Sequence, residues 1–97
     1  MIAELIKELR SYNQQTQTAL AEASGLSKRV ISAIESKKRY PTISEFLAID
    51  KAFDGDLYWA LTENNYGGLA TEPTIQEFFC IDKAFDGDLY WAIRDKK

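Results

Sequence analysis

The sequence contains no histidine and a single cysteine, Cys80, in 97 residues. Those two shortages remove Cys/His zinc sites, haem ligation by histidine, Ser-His-Asp and Cys-His catalysis, and any internal disulfide. Paired carboxylates could still drive hydrolysis or hold Mg²⁺, but such sites usually sit on larger scaffolds, so neither an enzyme nor a cofactor or metal is expected. Long hydrophobic runs are missing as well. None approaches the roughly 18 apolar residues of a membrane span, and Met1-Ile2-Ala3-Glu4 lacks the basic start and apolar stretch of a signal peptide. A cytoplasmic protein is expected, and a lone thiol fits a reducing compartment.

The formal net charge of −3 disfavours nucleic acid only as an average. Residues 1–40 carry seven Lys/Arg and four Asp/Glu, a net of +3, whereas residues 41–97 carry five and eleven, a net of −6. One segment can therefore meet phosphate while the other keeps away from it.

The chain also repeats itself. PTISEFLAIDKAFDGDLYWAL, from Pro41 to Leu61, recurs 32 residues later as PTIQEFFCIDKAFDGDLYWAI, from Pro73 to Ile93, with 17 of 21 positions identical. Only Ser44/Gln76, Leu47/Phe79, Ala48/Cys80 and Leu61/Ile93 differ. Such identity marks a recent duplication or a deliberate assembly. Each copy parses as two helices. Thr42 with Glu45, and Thr74 with Glu77, form Thr-x-x-Glu capping boxes that start a helix after each proline. Asp54-Gly55 and Asp86-Gly87 break those helices, and Asp56 and Asp88 can cap the next. Between the copies, Asn64-Asn65 and Gly67-Gly68 read as a turn or short linker. No segment alternates like a strand, so the fold class is all-α.

In the first forty residues, Ile2, Leu5, Ile6 and Leu9 recur at i, i+3, i+4 and i+7, the apolar stripe of an amphipathic helix. Thr16 is a suitable N-cap for a second helix over Gln17 to Ala23, which Gly25 ends. Ser27 caps a third, over residues 27–36, with Val30 or Ile31, and Ile34, on its inner face.

The run QTALAEASGLSKRVISAIE resembles the Cro/C1-type (XRE, phage-repressor-like) helix-turn-helix family. Leu20 and Ala21 stand where the two helices touch, Gly25 makes the turn, and Ile31 and Ile34 anchor the second helix. Residues 41–61 extend the resemblance as that family's fourth and fifth helices. What the resemblance implies is a five-helix domain, followed here by a repeated two-helix segment: a helix-turn-helix domain over residues 1–62, a linker over 63–72, and a helix pair over 73–97. The implied function is sequence-specific DNA binding by a transcriptional regulator, a repressor occupying a pseudo-palindromic operator as a homodimer, and hence association with the nucleoid when bound. Carried over by position, Lys28, Arg29 and Ser32 face base edges, a chemistry that suits guanine O6/N7. Thr16 and Gln17, at the positive end of the second helix, approach phosphate, as do Lys37, Lys38 and Arg39 after the third. Arg10 and Glu35 match a pair that bridges the first and third helices in some members.

The sequence departs from the family pattern at Lys37, where most members have Gly, and at Asp50 and Asp82, where a small apolar residue is usual. A non-Gly residue in a left-handed cap costs about 1 kcal/mol, so the loop is expected to end differently. Asp50 and Asp82 are expected at the edge of the core. Tyr58, Trp59, Tyr90 and Trp91 are expected in core packing or a dimer seam, and Cys80 as a small buried hydrophobe. The second copy has no three-helix head of its own to cover. Its Ile75, Phe78, Phe79, Phe85, Leu89 and Trp91 would form a sticky face, so residues 73–95 are expected to make a dimer contact or to exchange with residues 41–61. A protein partner, as for an antitoxin or interaction module acting through the acidic helices, is the alternative function.

Overall fold

The computed structural model describes residues 2–63 and 73–95. The expected linker lies outside the described residues apart from residue 63, as do residues 96 and 97. The described residues form seven helices and no strand: α1 Ile2–Tyr12, α2 Gln17–Ser24, α3 Lys28–Glu35, α4 Ile43–Ala52, α5 Asp56–Glu63, α6 Pro73–Ala84 and α7 Asp88–Asp95. None is long and apolar enough to cross a membrane.

Local chemistry sets most of the boundaries. Thr16 accepts from the Ala19 N–H at 3.0 Å, and Ser27 from that of Val30 at 3.2 Å, each satisfying a donor that the first helical turn leaves over. Gly25, at φ 78°, closes α2 with its N–H on the Ala21 carbonyl. Thr42 and Glu45 complete the expected capping box of α4. The second copy starts differently: α6 already includes Pro73, where a missing N–H costs nothing, so Thr74 lies inside the helix. Asp54-Gly55 and Asp86-Gly87 take the same pair of left-handed conformations, φ 56° and 91° against 59° and 90°. The duplicated turn thus folds identically in its two settings.

Helices α1–α3 sit as a head on α4 and α5. α2 packs on α3 and α4, and α1 on α3 and α5. Ile2, Ile6, Leu20, Ile31, Ile34, Phe46, Ile49, Phe53, Leu57 and Leu61 close one core, in which each large side chain contributes about 1.5–3 kcal/mol by leaving water. α6 packs against α4, and Ile75, Phe78, Phe79 and Tyr90 join the same core.

The two copies meet through reciprocal contacts. Tyr58 and Tyr90 stack with ring centroids 3.6 Å apart and planes within 7°. The Tyr58 hydroxyl donates to Asp82 Oδ2 at 2.7 Å, and the Tyr90 hydroxyl to Asp50 Oδ2 at 2.5 Å. Each aspartate also accepts a backbone N–H at the start of the following helix, Tyr58 N to Asp50 at 2.7 Å and Tyr90 N to Asp82 at 2.8 Å. Both aspartates are thus fully inside the core, 2% and 0% exposed, not at its edge, because two donors each satisfy them. They do the N-terminal work expected of Asp56 and Asp88, which instead begin α5 and α7.

The outward side of the second copy is bare. Ile81 and Phe85 are 51% and 60% exposed, whereas their counterparts Ile49 and Phe53 are 0% and 4%. Trp59 and Trp91 also stand in solvent. Cys80, expected to be buried, is exposed, since α4 covers the Phe79 side of α6 and leaves its outer flank open.

Candidate nucleic-acid interface

α3 divides cleanly by face. Ile31, Ile34 and Glu35 point into the protein, and Lys28, Arg29, Ser32 and Ser36 are exposed on the other side. Positions 28, 29, 32 and 36 follow helical spacing, so they form one stripe. Neither Lys28 nor Arg29 has an ion-pair partner among the described residues. Two cations at the positive end of a helix oppose its macrodipole. The arrangement therefore leaves an uncompensated positive edge facing solvent.

The inner face of α3 is held by an ion pair. Arg10 Nε and Nη2 donate to Glu35 Oε2 and Oε1 at 2.6 and 2.7 Å, a bidentate fork around a carboxylate that is only 3% exposed. Arg10 also donates to the Gln15 carbonyl at 2.9 Å, tying the α1–α2 turn into the same node. Burial pushes the Glu35 carboxyl up, but the hydrogen bonds from Arg10 and Gln17 outweigh it and hold the group below its ordinary value. The pair fixes where α3 stands relative to α1 and α2.

Each expected phosphate contact has a definite place. Gln17 turns its carboxamide inward, donating to Glu35 at 3.1 Å, and its backbone N–H at the start of α2 is available to an anion. Thr16 caps that helix and stays exposed. Lys37 takes the left-handed conformation despite its side chain, at φ 64°, so the loop keeps the geometry that glycine would favour. Its ammonium pairs with Glu4 on α1, and that ammonium, followed by the N-terminal amine, holds the Glu4 carboxyl down to about 2. Arg39 grips Glu45 with both terminal nitrogens, at 2.8 and 2.5 Å. Lys38 has no ion-pair partner among the described residues. Of the three basic residues after α3, it alone carries a charge that none of the described residues neutralises. The sequence signal for the other two pairings was weak: Glu45 was legible as a capping residue, and nothing in the spacing tied it to Arg39.

A short helix of eight residues, a left-handed glycine and a second eight-residue helix with a polar outer stripe make the α2–turn–α3 unit, and a helix-turn-helix family model matches residues 6–59. The chain belongs to the Cro/C1-type helix-turn-helix family. It is a DNA-binding transcriptional regulator. Control protein C.SmaI from Serratia marcescens is similar, 34% identical over 62 residues that span 64% of this chain and 74% of that protein. No solved structure matches the chain significantly. α3 is the second helix of that helix-turn-helix.

The six apolar residues expected on the sticky face are divided. Ile75, Phe78 and Phe79 are buried inside the same chain, 0%, 4% and 0% exposed, and Leu89 is half-buried, whereas Phe85 and Trp91 face solvent at 60% and 50%. The strongest features of this region, the Asp50–Tyr90 and Asp82–Tyr58 bonds, had no sequence signal beyond their repetition.

Proposed function

We propose that the protein is a repressor that occupies a pseudo-palindromic operator as a dimer, with one third helix in each of two successive major grooves about one DNA turn apart. Lys28 and Arg29 read guanine edges and Ser32 a neighbouring base. Thr16, the Gln17 N–H and Lys38 position the head on phosphate, with Lys37 and Arg39 joining when the backbone draws them from Glu4 and Glu45. Residues 1–62 serve as the reading domain, and the helix pair over 73–97 is the element on which dimerisation turns.

The observation that carries this reading is the exposed Lys28–Arg29–Ser32 stripe on the second helix of the helix-turn-helix, whose two cations pair with none of the described residues. The name of the similar Serratia marcescens protein, a control protein, agrees with a regulatory role. Selection of bound DNA from a random pool at two salt concentrations tests it. Two inverted copies of one half-site should emerge, with affinity falling steeply as salt rises. Recovery of no motif, or of the same motif with Lys28→Ala/Arg29→Ala, removes the base-reading assignment.

A further inference from the structure

The seam between the two helix pairs has the form of an interface between two identical subunits. Residue 50 bonds residue 90 and residue 82 bonds residue 58, positions that differ by the repeat offset of 32, and the Tyr58–Tyr90 stack lies on the pseudo-two-fold axis between them. Isologous contacts of this kind are how a protein surface recognises a second copy of itself. Here both partners belong to one chain. The α4–α5 face carries the residues that α6–α7 uses, because 17 of 21 positions are the same.

We propose that α6–α7 is a built-in imitation of a second subunit: it occupies the self-complementary α4–α5 face, keeps the free chain monomeric, and must leave before the α4–α5 face of a second copy can dock there. The occupant that competes with it is therefore a second copy of this chain. Two departures from symmetry favour the internal seat. Phe79, wholly buried, packs edge-on to Phe46 and stacks on Tyr58, each at 5.5 Å. The first copy has the shorter Leu47 there, and around Leu47, Tyr90 and Ile93 the seam opens into a groove. Arg94 reaches Asp54 at 3.4 Å, where the first copy has the uncharged Thr62. A chain-to-chain pair would have Leu47 and Thr62 on both sides and pack less fully. The covalent tether adds an effective concentration of order millimolar for a short linker.

The dimer on DNA in the previous subsection is the released state, and the proposal rests on that reading only there, because oligomeric state is measured without DNA. Sedimentation velocity at about 10 µM, well below that effective concentration, compares the full chain with Phe79→Asp/Tyr90→Ala, substitutions confined to the second copy. The wild type should run as a monomer and the variant as a dimer, and adding Tyr58→Ala to the variant should return it to a monomer. Should the double variant lose its helical circular dichroism, Tyr90→Ala alone gives the same comparison. A wild-type dimer, including one made by exchange of α6–α7, overturns the proposal. So does a folded variant that stays monomeric, or a dimer that survives Tyr58→Ala.

Discussion

The Tyr90 hydroxyl donates to Asp50 Oδ2 forty residues away, at 2.5 Å, inside a core from which both side chains exclude water. Burial raises the tyrosine's pKa above its ordinary value and Asp50 raises it further, so the hydroxyl keeps its proton and remains a donor. Tyr90→Phe leaves one oxygen of a buried carboxylate unmet. The expected loss is about 2 kcal/mol, the range for a hydrogen bond to a charged group. Tyr58→Phe also strips a donor from a buried carboxylate, Asp82, but its hydroxyl is only part-buried, so the cost should fall at the low end of that range, about 1.5 kcal/mol. Urea denaturation of the two variants measures the difference, and equal costs would show that the seam is energetically symmetric.

Acid should loosen the head through Glu35. Its folded pKa lies below the ordinary 4.5, so the stability it lends is fully present above that value and is lost as pH falls through the folded one. Asp50 acts in the opposite sense. Burial outweighs its hydrogen bonds and raises it above 3.8, so its contribution is present below 3.8 and lost as pH rises through the raised value. Glu35→Gln should therefore flatten the fall in stability below about pH 4.5. It should also cost about 2–3 kcal/mol at pH 7, less than a wholly buried pair because Arg10 keeps some contact with water. Denaturation midpoints from pH 3 to 7 check both effects.

Lys37 holds a left-handed conformation without being glycine. Lys37→Gly removes that strain, about 1 kcal/mol, and gives up an exposed pair with Glu4 that adds little. Thermal unfolding should shift upward by a few degrees, while one positive charge beside the reading helix is lost. A lowered Tm would mean that the Glu4 contact outweighs the backbone term.

The groove at Leu47 is where the pseudo-symmetric counterpart of Phe79 would lie. Leu47→Phe should fill it against Tyr90 and Ile93 and raise stability by about 1 kcal/mol, the scale of a gained methylene or two of burial. If guanidinium unfolding shows a loss instead, the groove is too shallow to take the ring and the substitution overpacks it.

Much of the head was legible because its signals are local. Thr16, Gly25, Ser27 and the Thr42–Glu45 box act within one helical turn, and each ended or began a helix where its spacing predicted. The outer stripe of α3 followed from the family resemblance, and its inner face from the spacing of its apolar residues. The second copy was harder to read because its fate depends on what it touches. Asp50 and Asp82 looked like misfits until tyrosines from the opposite copy supplied donors. Gln17 and Arg39 looked free for phosphate, and carboxylates distant in sequence or outside the recognised pattern engage them instead. Sequence spacing carries no information about such partners.

Ile81 and Phe85 repeat Ile49 and Phe53 letter for letter, yet they are 51% and 60% exposed where the first pair is buried. The first pair is locked in place by the head, where a polar replacement would unfold it. Selection acting on the fold of this chain alone has a weaker grip on the second pair, which is half in solvent. The duplicated helices thus start from one text under unequal editing. Drift toward Lys, Glu or Gln should reach positions 81 and 85 first, long before it touches Asp82 or Tyr90.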